Sequence, residues 1–208
     1  MAIGQIDVLD DAPKWRPLRL QQIKGFFDGA DFPWWIAGGY AIEHFVGRSL
    51  REHGDIDVLL LRKDSALVRQ WLGNWDCWMV QPRGVLRRWC MKEELPESVS
   101  DIWCREHPSG PWQVQLMLDE GNDRDWRSRR CPVVTLPLAD LGYATQGGLR
   151  FLTPEVQLFY KAKAPREKDE IDLLAALPLL DQRQKRWLHQ AILTAYGPGN
   201  TWIDRVAA

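Results

Sequence analysis

The chain has 208 residues, 45% of them hydrophobic and 26% charged, enough for one buried core with a small helical appendage. Lysine and arginine (27) nearly balance aspartate and glutamate (28), which argues against a strong field drawing in nucleic acid or an anionic membrane. No apolar run approaches the roughly 20 residues needed to cross a bilayer.

The Met-Ala-Ile-Gly start has no basic stretch followed by an apolar one, so no signal peptide is expected. Residues 1–17 are polar and punctuated by proline, which predicts an extended lead-in. "LRLQQIKGFFDG" carries Leu20, Ile23, Phe26 and Phe27 at helical spacing and predicts an amphipathic helix ending near Gly29. "WWIAGG" reads as a short strand entering a glycine turn. Ile42, Phe45 and Val46 then predict a short helix starting just beyond Gly39 and ending near Gly47.

"DIDVLLL" is β-branched and apolar, a buried strand, and "SALVRQWLGNW" is a helix with Ser65 or Asp64 as N-cap. "CWMV", "SDIWC" and "WQVQLML" read as strands, the last two an antiparallel pair joined by "REHPSGP". Residues 119–130 read as a charged loop, and "GYATQGGLRFL" as a hairpin turning at Gln146-Gly147-Gly148. From Thr153 three helices follow: "TPEVQLFYKAKA", stopped by Pro165; "EKDEIDLLAAL", ended by Pro178; and "DQRQKRWLHQAIL", capped by Asp181. The expected organisation is a core over residues 1–150 and a helical segment, 151–208, packed on it.

The four cysteines, Cys77, Cys90, Cys104 and Cys131, lack C-x-x-C spacing and read as buried thiols of a reduced, cytoplasmic protein. His44, His107 and His189 read as packing or surface residues, and most of the twelve tryptophans as core or groove walls.

Chemistry concentrates in "WWIAGGYAIEHFVGRSLREHGDIDVLLL". Asp55 and Asp57 lie two apart on a strand, so they share a side, about 6.5 Å apart along the chain. Ile56 and Val58 point oppositely, into the core. Paired hard oxygen ligands of this kind suit Mg²⁺, which keeps waters and takes phosphate oxygens as its remaining ligands. Gly38 and Gly39 let backbone approach a phosphate, and the helix after them offers free N–H groups and a positive dipole end. Arg51 and His53, just before the strand, could contact a triphosphate, the arginine through its forked donors. Taken singly, these features are common in α/β proteins. Their order, glycine pair, short helix, basic linker, Asp-x-Asp, apolar strand, is not.

"GGYAIEHFVGRSLREHGDIDV" resembles the signature of the nucleotidyltransferase superfamily, whose members share the DNA polymerase β-like palm. Its Gly-Gly-x-Ala and Gly-Arg-x-x-Arg-x-His-x-Asp-x-Asp pattern looks most like the aminoglycoside and lincosamide nucleotidyltransferases. The likeness is dense over residues 34–61 and returns in "PEVQLFYKAKAPREKDEIDL", residues 154–173. It implies an α+β fold, a mixed palm sheet flanked by helices with a C-terminal helical tail. It also implies Mg²⁺-dependent attack of a hydroxyl on the α-phosphate of a nucleoside triphosphate, with release of pyrophosphate.

The resemblance gives Asp55 and Asp57 the metal. It also implies a third carboxylate, on a neighbouring strand, as ligand or base. The usual position for it falls near Gln115, where an amide can do neither. Asp119 has the same strand parity and is the preferred substitute; Glu120 could serve if the strand ends early and twists. If neither does, two carboxylates remain. In the tail, Lys161 and Lys163 cannot both face one site; either could reach a phosphate, leaving the other in solvent. Lys168 and Asp169 are implied to steady the tail against the core.

The expected activity is transfer of a nucleoside monophosphate, AMP from ATP, onto a hydroxyl of a small acceptor such as an aminoglycoside- or lincosamide-like antibiotic. No membrane or nucleic-acid partner is expected, and monomer and homodimer both stay open. Two alternatives stand beside it. One is a toxin–antitoxin or regulatory nucleotidyltransferase acting on protein or RNA, for which "RSRR", with Arg124 and Arg127, is the only local basic candidate. The other is a non-catalytic nucleotide-binding module, a reading that Gln115 keeps open.

Overall fold

The computed structural model describes residues 6–8, 14–81 and 84–207; residues 1–5 and 9–13 of the expected lead-in lie outside the described residues. In chain order the strands and helices are β1 (Ile6–Val8), α1 (Leu20–Phe27), β2 (Trp34–Ile36), α2 (Gly38–Val46), β3 (Asp57–Leu61), α3 (Ser65–Leu72), β4 (Asp76–Gln81), β5 (Val85–Arg88), β6 (Asp101–Arg105), β7 (Val114–Gly121), β8 (Asp125–Arg127), β9 (Thr135–Pro137), β10 (Gly142–Ala144), β11 (Arg150–Leu152), α4 (Pro154–Lys161), α5 (Glu167–Ala176), α6 (Gln182–Tyr196) and α7 (Ile203–Val206).

The chain forms two compact units, one of residues 1–35 with 54–122, the other of residues 36–53 with 123–208. The single boundary expected near residue 150 does not describe this division. The reason is packing: α2 lies against α4, α5 and β11, so an early segment joins the C-terminal helices.

In the first unit the strands are ordered β1-β5-β4-β6-β7-β3. Only β3 and β7 run parallel; the other neighbours pair antiparallel, β6 with β7 as the turn-rich linker predicts. One face of this sheet is a continuous apolar layer: Val58, Leu60, Ile102, Cys104, Val114, Leu116 and Leu118 are all fully buried. The alternate positions Asp57, Trp103, Gln115 and Met117 are half-buried, so the opposite face stays partly open there. Alternation of this kind sets the register, since a one-residue slip would turn every apolar side chain outward.

In the second unit, Ile36 pairs in parallel with Phe151 of β11, and β10 closes the predicted hairpin. α4 is buried on every side, from Pro154 to Lys161. α6 begins with a reciprocal capping box: Gln184 N donates to Asp181 Oδ1 (2.7 Å) and Asp181 N to Gln184 Oε1 (3.0 Å).

Other expectations change. Residues 119–130 are not a loop: β7 runs through Asp119 and Glu120, and β8 follows. The glycine pair lies inside the first turn of α2, with Ala37 as N-cap. The strand β5 and the short helix α7 were not foreseen. Cys77 and Cys104 are buried as expected, but Cys90 is exposed; all four thiols are free. Among the described residues, no helix is long and apolar enough to cross a membrane.

Candidate functional site

In the first unit, Gln115 N donates to Ile56 O (2.9 Å), which carries the β3–β7 ladder one residue ahead of Asp57. Ile56 and Val58 are fully buried while Asp55 and Asp57 are half-buried, so the two carboxylates share the open side. Two hard oxygen donors with access to solvent fit a magnesium ion that brings phosphate and water as its other ligands.

The register pairs Asp57 with Gln115, Leu59 with Met117, and Leu61 with Asp119. Asp119 therefore has the expected parity but lies four residues, about 13 Å, beyond the position opposite Asp57. It is fully buried in a strand that continues straight past it. Glu120, on the other face, accepts from Arg62 Nε at 2.6 Å, and that arginine also donates to Val99 O at 2.7 Å. The expectation that Asp119 or Glu120 completes the metal site is thus corrected, because regular pairing of β7 keeps both away from Asp55 and Asp57. Among the described residues no three histidine, cysteine, aspartate or glutamate side chains are placed to hold a metal ion.

Gln115 has a carboxylate neighbour that the sequence reading passed over. Its Nε2 donates to Asp101 Oδ1 (3.0 Å), and its Oε1 accepts from Trp103 Nε1 (3.1 Å). Asp101 also accepts from Ser100 Oγ (2.8 Å). The signal was present in "SDIWC": Asp101 and Trp103 alternate with the buried Ile102 and Cys104, which fixes them to the open face.

In the second unit each glycine of the pair has its own reason. Gly38 adopts φ +67°, a conformation costly for any residue with a Cβ, and its N–H donates to the buried Gln157 Oε1 at 2.7 Å. Gly39 is pressed against side chains: a Cβ there would lie 2.2 Å from His53 Cε1 and 2.4 Å from Arg51 Nη2. The space that glycine leaves open is therefore filled by the two residues expected to contact a triphosphate.

Arg51 and His53 are also tied to carboxylates. Arg51 Nη2 lies 3.2 Å from Asp172 Oδ2 and Nη1 lies 3.1 Å from His53 Nδ1, while His53 Nε2 is 3.0 Å from Glu43 Oε1. Burial alone would raise the Glu43 pKa, but the N–H groups of Leu50 and Arg51, with His53, hold it below its ordinary value. Arg51 Nε stays without a hydrogen-bond partner.

The tail lysines separate cleanly. Lys161 is buried, with Nζ 2.6 Å from Asp169 Oδ1 and 2.8 Å from Asp172 Oδ2. Lys163 lies past the end of α4, exposed. Asp169 also takes Arg166 Nε at 2.8 Å; burial would raise its pKa, and these cations hold it well below the ordinary carboxylate range. Of the histidines outside the cradle, His44 stacks on Phe151, with centroids 3.9 Å apart, and burial lowers its pKa. His107 is exposed in a turn and His189 half-buried on α6.

The fold of the chain matches solved structures. The structure of ANT(2'')-Ia in complex with adenylyl-2''-tobramycin superposes with a TM-score of 0.51 at 20% identity, covering 83% of this chain and 94% of that one. The lincosamide antibiotic adenylyltransferase LnuA, lincomycin-bound, superposes at 0.52 and 17% identity, covering 78% and 96%. This is the nucleotidyltransferase fold. Within it, residues 19–81 match the family aminoglycoside-2''-adenylyltransferase, a stretch containing Gly38, Gly39, Asp55 and Asp57. A solution structure of ANT(2'')-Ia agrees, with a TM-score of 0.52 at 19% identity over 82% of this chain and 88% of that one. No curated protein sequence matches significantly. As a nucleotidyltransferase fold the chain has Asp55, Asp57 and the glycine-led helix inside the matched stretch, and Gln115 outside it.

Proposed function

We propose that the chain transfers a nucleoside monophosphate, AMP from ATP, onto a hydroxyl of a small acceptor of the aminoglycoside or lincosamide type. The observation that carries this reading is the half-buried pair Asp55 and Asp57 at the start of β3, inside the segment that matches an adenylyltransferase family. Mg²⁺ held by this pair would neutralise charge on the phosphates and polarise the α-phosphate for attack. Asp55 and Asp57 fix where that charge is met, on the open side of the first unit's sheet. The four free thiols fit a reduced, cytoplasmic setting.

The test is incubation with Mg²⁺ and α-labelled ATP against tobramycin and lincomycin, with Asp55→Asn and Asp57→Asn alongside. Transfer that disappears in both variants supports the reading. ATP binding without transfer to any acceptor overturns it in favour of a nucleotide-binding module, the second reading, which the amide at Gln115 favours. An RNA acceptor has less support: in "RSRR", Arg129 and Arg130 both lie over the Tyr160 ring, and Arg130 donates to Tyr160 O.

A further inference from the structure

Attack of a hydroxyl on phosphorus releases a proton, and the residue beside Asp57 cannot take it. A glutamine amide is neither a base nor an acid near neutral pH. The orientation of this amide is fixed by its neighbours. An indole N–H only donates and an ionised carboxylate only accepts, so Gln115 must turn its carbonyl to Trp103 and its NH₂ to Asp101. A carboxylate at position 115 would accept from Trp103 equally well but would face the Asp101 carboxylate with like charge. Gln115 and Asp101 are therefore a matched pair: the amide at one position suits the carboxylate at the other.

We infer that Asp101 is the proton acceptor of the transfer reaction and that Gln115 is the positioning residue that holds it. This rests on the proposed function and deepens it. Asp101 stands two strands from Asp57, on the same open face and beside Met117 in the register, two residues further along. Strand geometry makes that offset about 9.5 Å across the sheet and about 6.5 Å along it. A magnesium ion holds its oxygen ligands at about 2.0–2.1 Å, so Asp101 does not share one with Asp57. That offset is of the length a phosphoryl group and a hydroxyl in line with it would span, with reacting atoms about 3–3.5 Å apart. Each Asp101 oxygen accepts one hydrogen bond in the folded chain, from Gln115 and from Ser100, and keeps a further lone pair. Half-buried Trp103, edge-on to Trp15 at 5.2 Å, gives the same face an apolar wall of the sort that suits a sugar ring.

The step balances. The acceptor oxygen forms a bond to the α-phosphorus as its proton passes to the Asp101 carboxylate. The bond from the α-phosphorus to the bridging oxygen breaks, and its electron pair leaves with pyrophosphate.

The experiment exchanges the two groups. Transfer from α-labelled ATP with Mg²⁺ to tobramycin or lincomycin is measured for wild type, Asp101→Asn, Gln115→Asp and the double exchange, with thermal unfolding of each and kcat followed against pH. Asp101→Asn should lower kcat about 100-fold or more, within the range for a lost general base, with ATP binding kept and the acidic limb of the profile gone. The double exchange sets the amide on β6 against the carboxylate on β7, and it should recover at least about tenfold of that loss. Full transfer in Asp101→Asn overturns the inference and leaves the proposed function standing. A silent wild type beside an active Gln115→Asp overturns it too, since Asp101 would then supply nothing. If wild type and double exchange are both silent toward both acceptors, the proposed function fails and the inference falls with it.

Discussion

Lys161 Nζ is shared between Asp169 and Asp172, carboxylates one helical turn apart on α5, at 2.6 and 2.8 Å. The side chains are 7%, 2% and 0% exposed, so the ammonium is the buried counter-charge that both carboxylates face. Arg51 adds a contact to Asp172, and Arg166 donates to Asp169 through its Nε, its Nη2 and its backbone N–H.

Lys161→Met should therefore destabilise the fold by roughly 3–5 kcal/mol, the cost of leaving a buried charge without its partner. Urea unfolding without nucleotide measures it. Lys163→Ala, at an exposed position, should stay within about 0.5 kcal/mol of wild type. A destabilisation under about 1 kcal/mol for Lys161→Met would show that the cluster does not depend on this ammonium.

Gly39→Ala places a Cβ 2.2 Å from His53 Cε1, and His53 has no room to retreat because its side chain is 5% exposed. Overpacking of this kind should cost about 1–3 kcal/mol. Adding His53→Ala removes the His53 part of the clash and leaves the 2.4 Å approach to Arg51 Nη2, so the double variant should be more stable than the sum of its parts predicts. Strict additivity in a thermodynamic cycle would refute the packing explanation of Gly39.

The acid limb of stability should depend on Asp169. Its folded pKa lies below the ordinary value of 3.8, so its contribution is complete above that value and is lost as pH falls through it and below. Asp169→Asn should flatten the dependence of unfolding free energy on pH below about 4. Glu155 runs the other way. Burial raises its pKa above 4.5, so its contribution is complete below 4.5 and lost as pH rises through the folded value. Glu155→Gln should flatten the curve on that side.

Glu120→Gln should leave Mg²⁺-dependent transfer unchanged within about twofold and cost at most about 1 kcal/mol, since its ion pair with Arg62 is partly exposed, 42% on the glutamate side. Asp119→Asn should spare transfer equally. Loss of transfer in either would place these carboxylates back at the metal.

Much of the fold was legible because periodicity and punctuation act locally. The helix over Leu20–Phe27, the strand after Asp57, the β6–β7 pair and the Asp181 cap were each visible within a dozen residues. β5 was missed because "VLRR" shows no apolar alternation; its strand form comes from pairing with β4. The charged segment 119–130 was misread for the same reason, since polarity suggests a loop and only pairing with a neighbouring strand shows otherwise.

The candidate site divides along the same line. By itself the sequence determined that Ile56 and Val58 go inward, and so set the expectation that Asp55 and Asp57 share the other side, because the period of a strand is two. It also determined that glycine stands at 38 and 39, though not why. Which carboxylate stands near Gln115 was decided only by the tertiary structure. Parity along one strand says which face a residue takes and nothing about which residues of other strands lie beside it. Pairing of β3, β7 and β6 carried Asp119 away from the pair and brought Asp101 to the amide, and the packing of α4 and α5 decided which of Lys161 and Lys163 is buried.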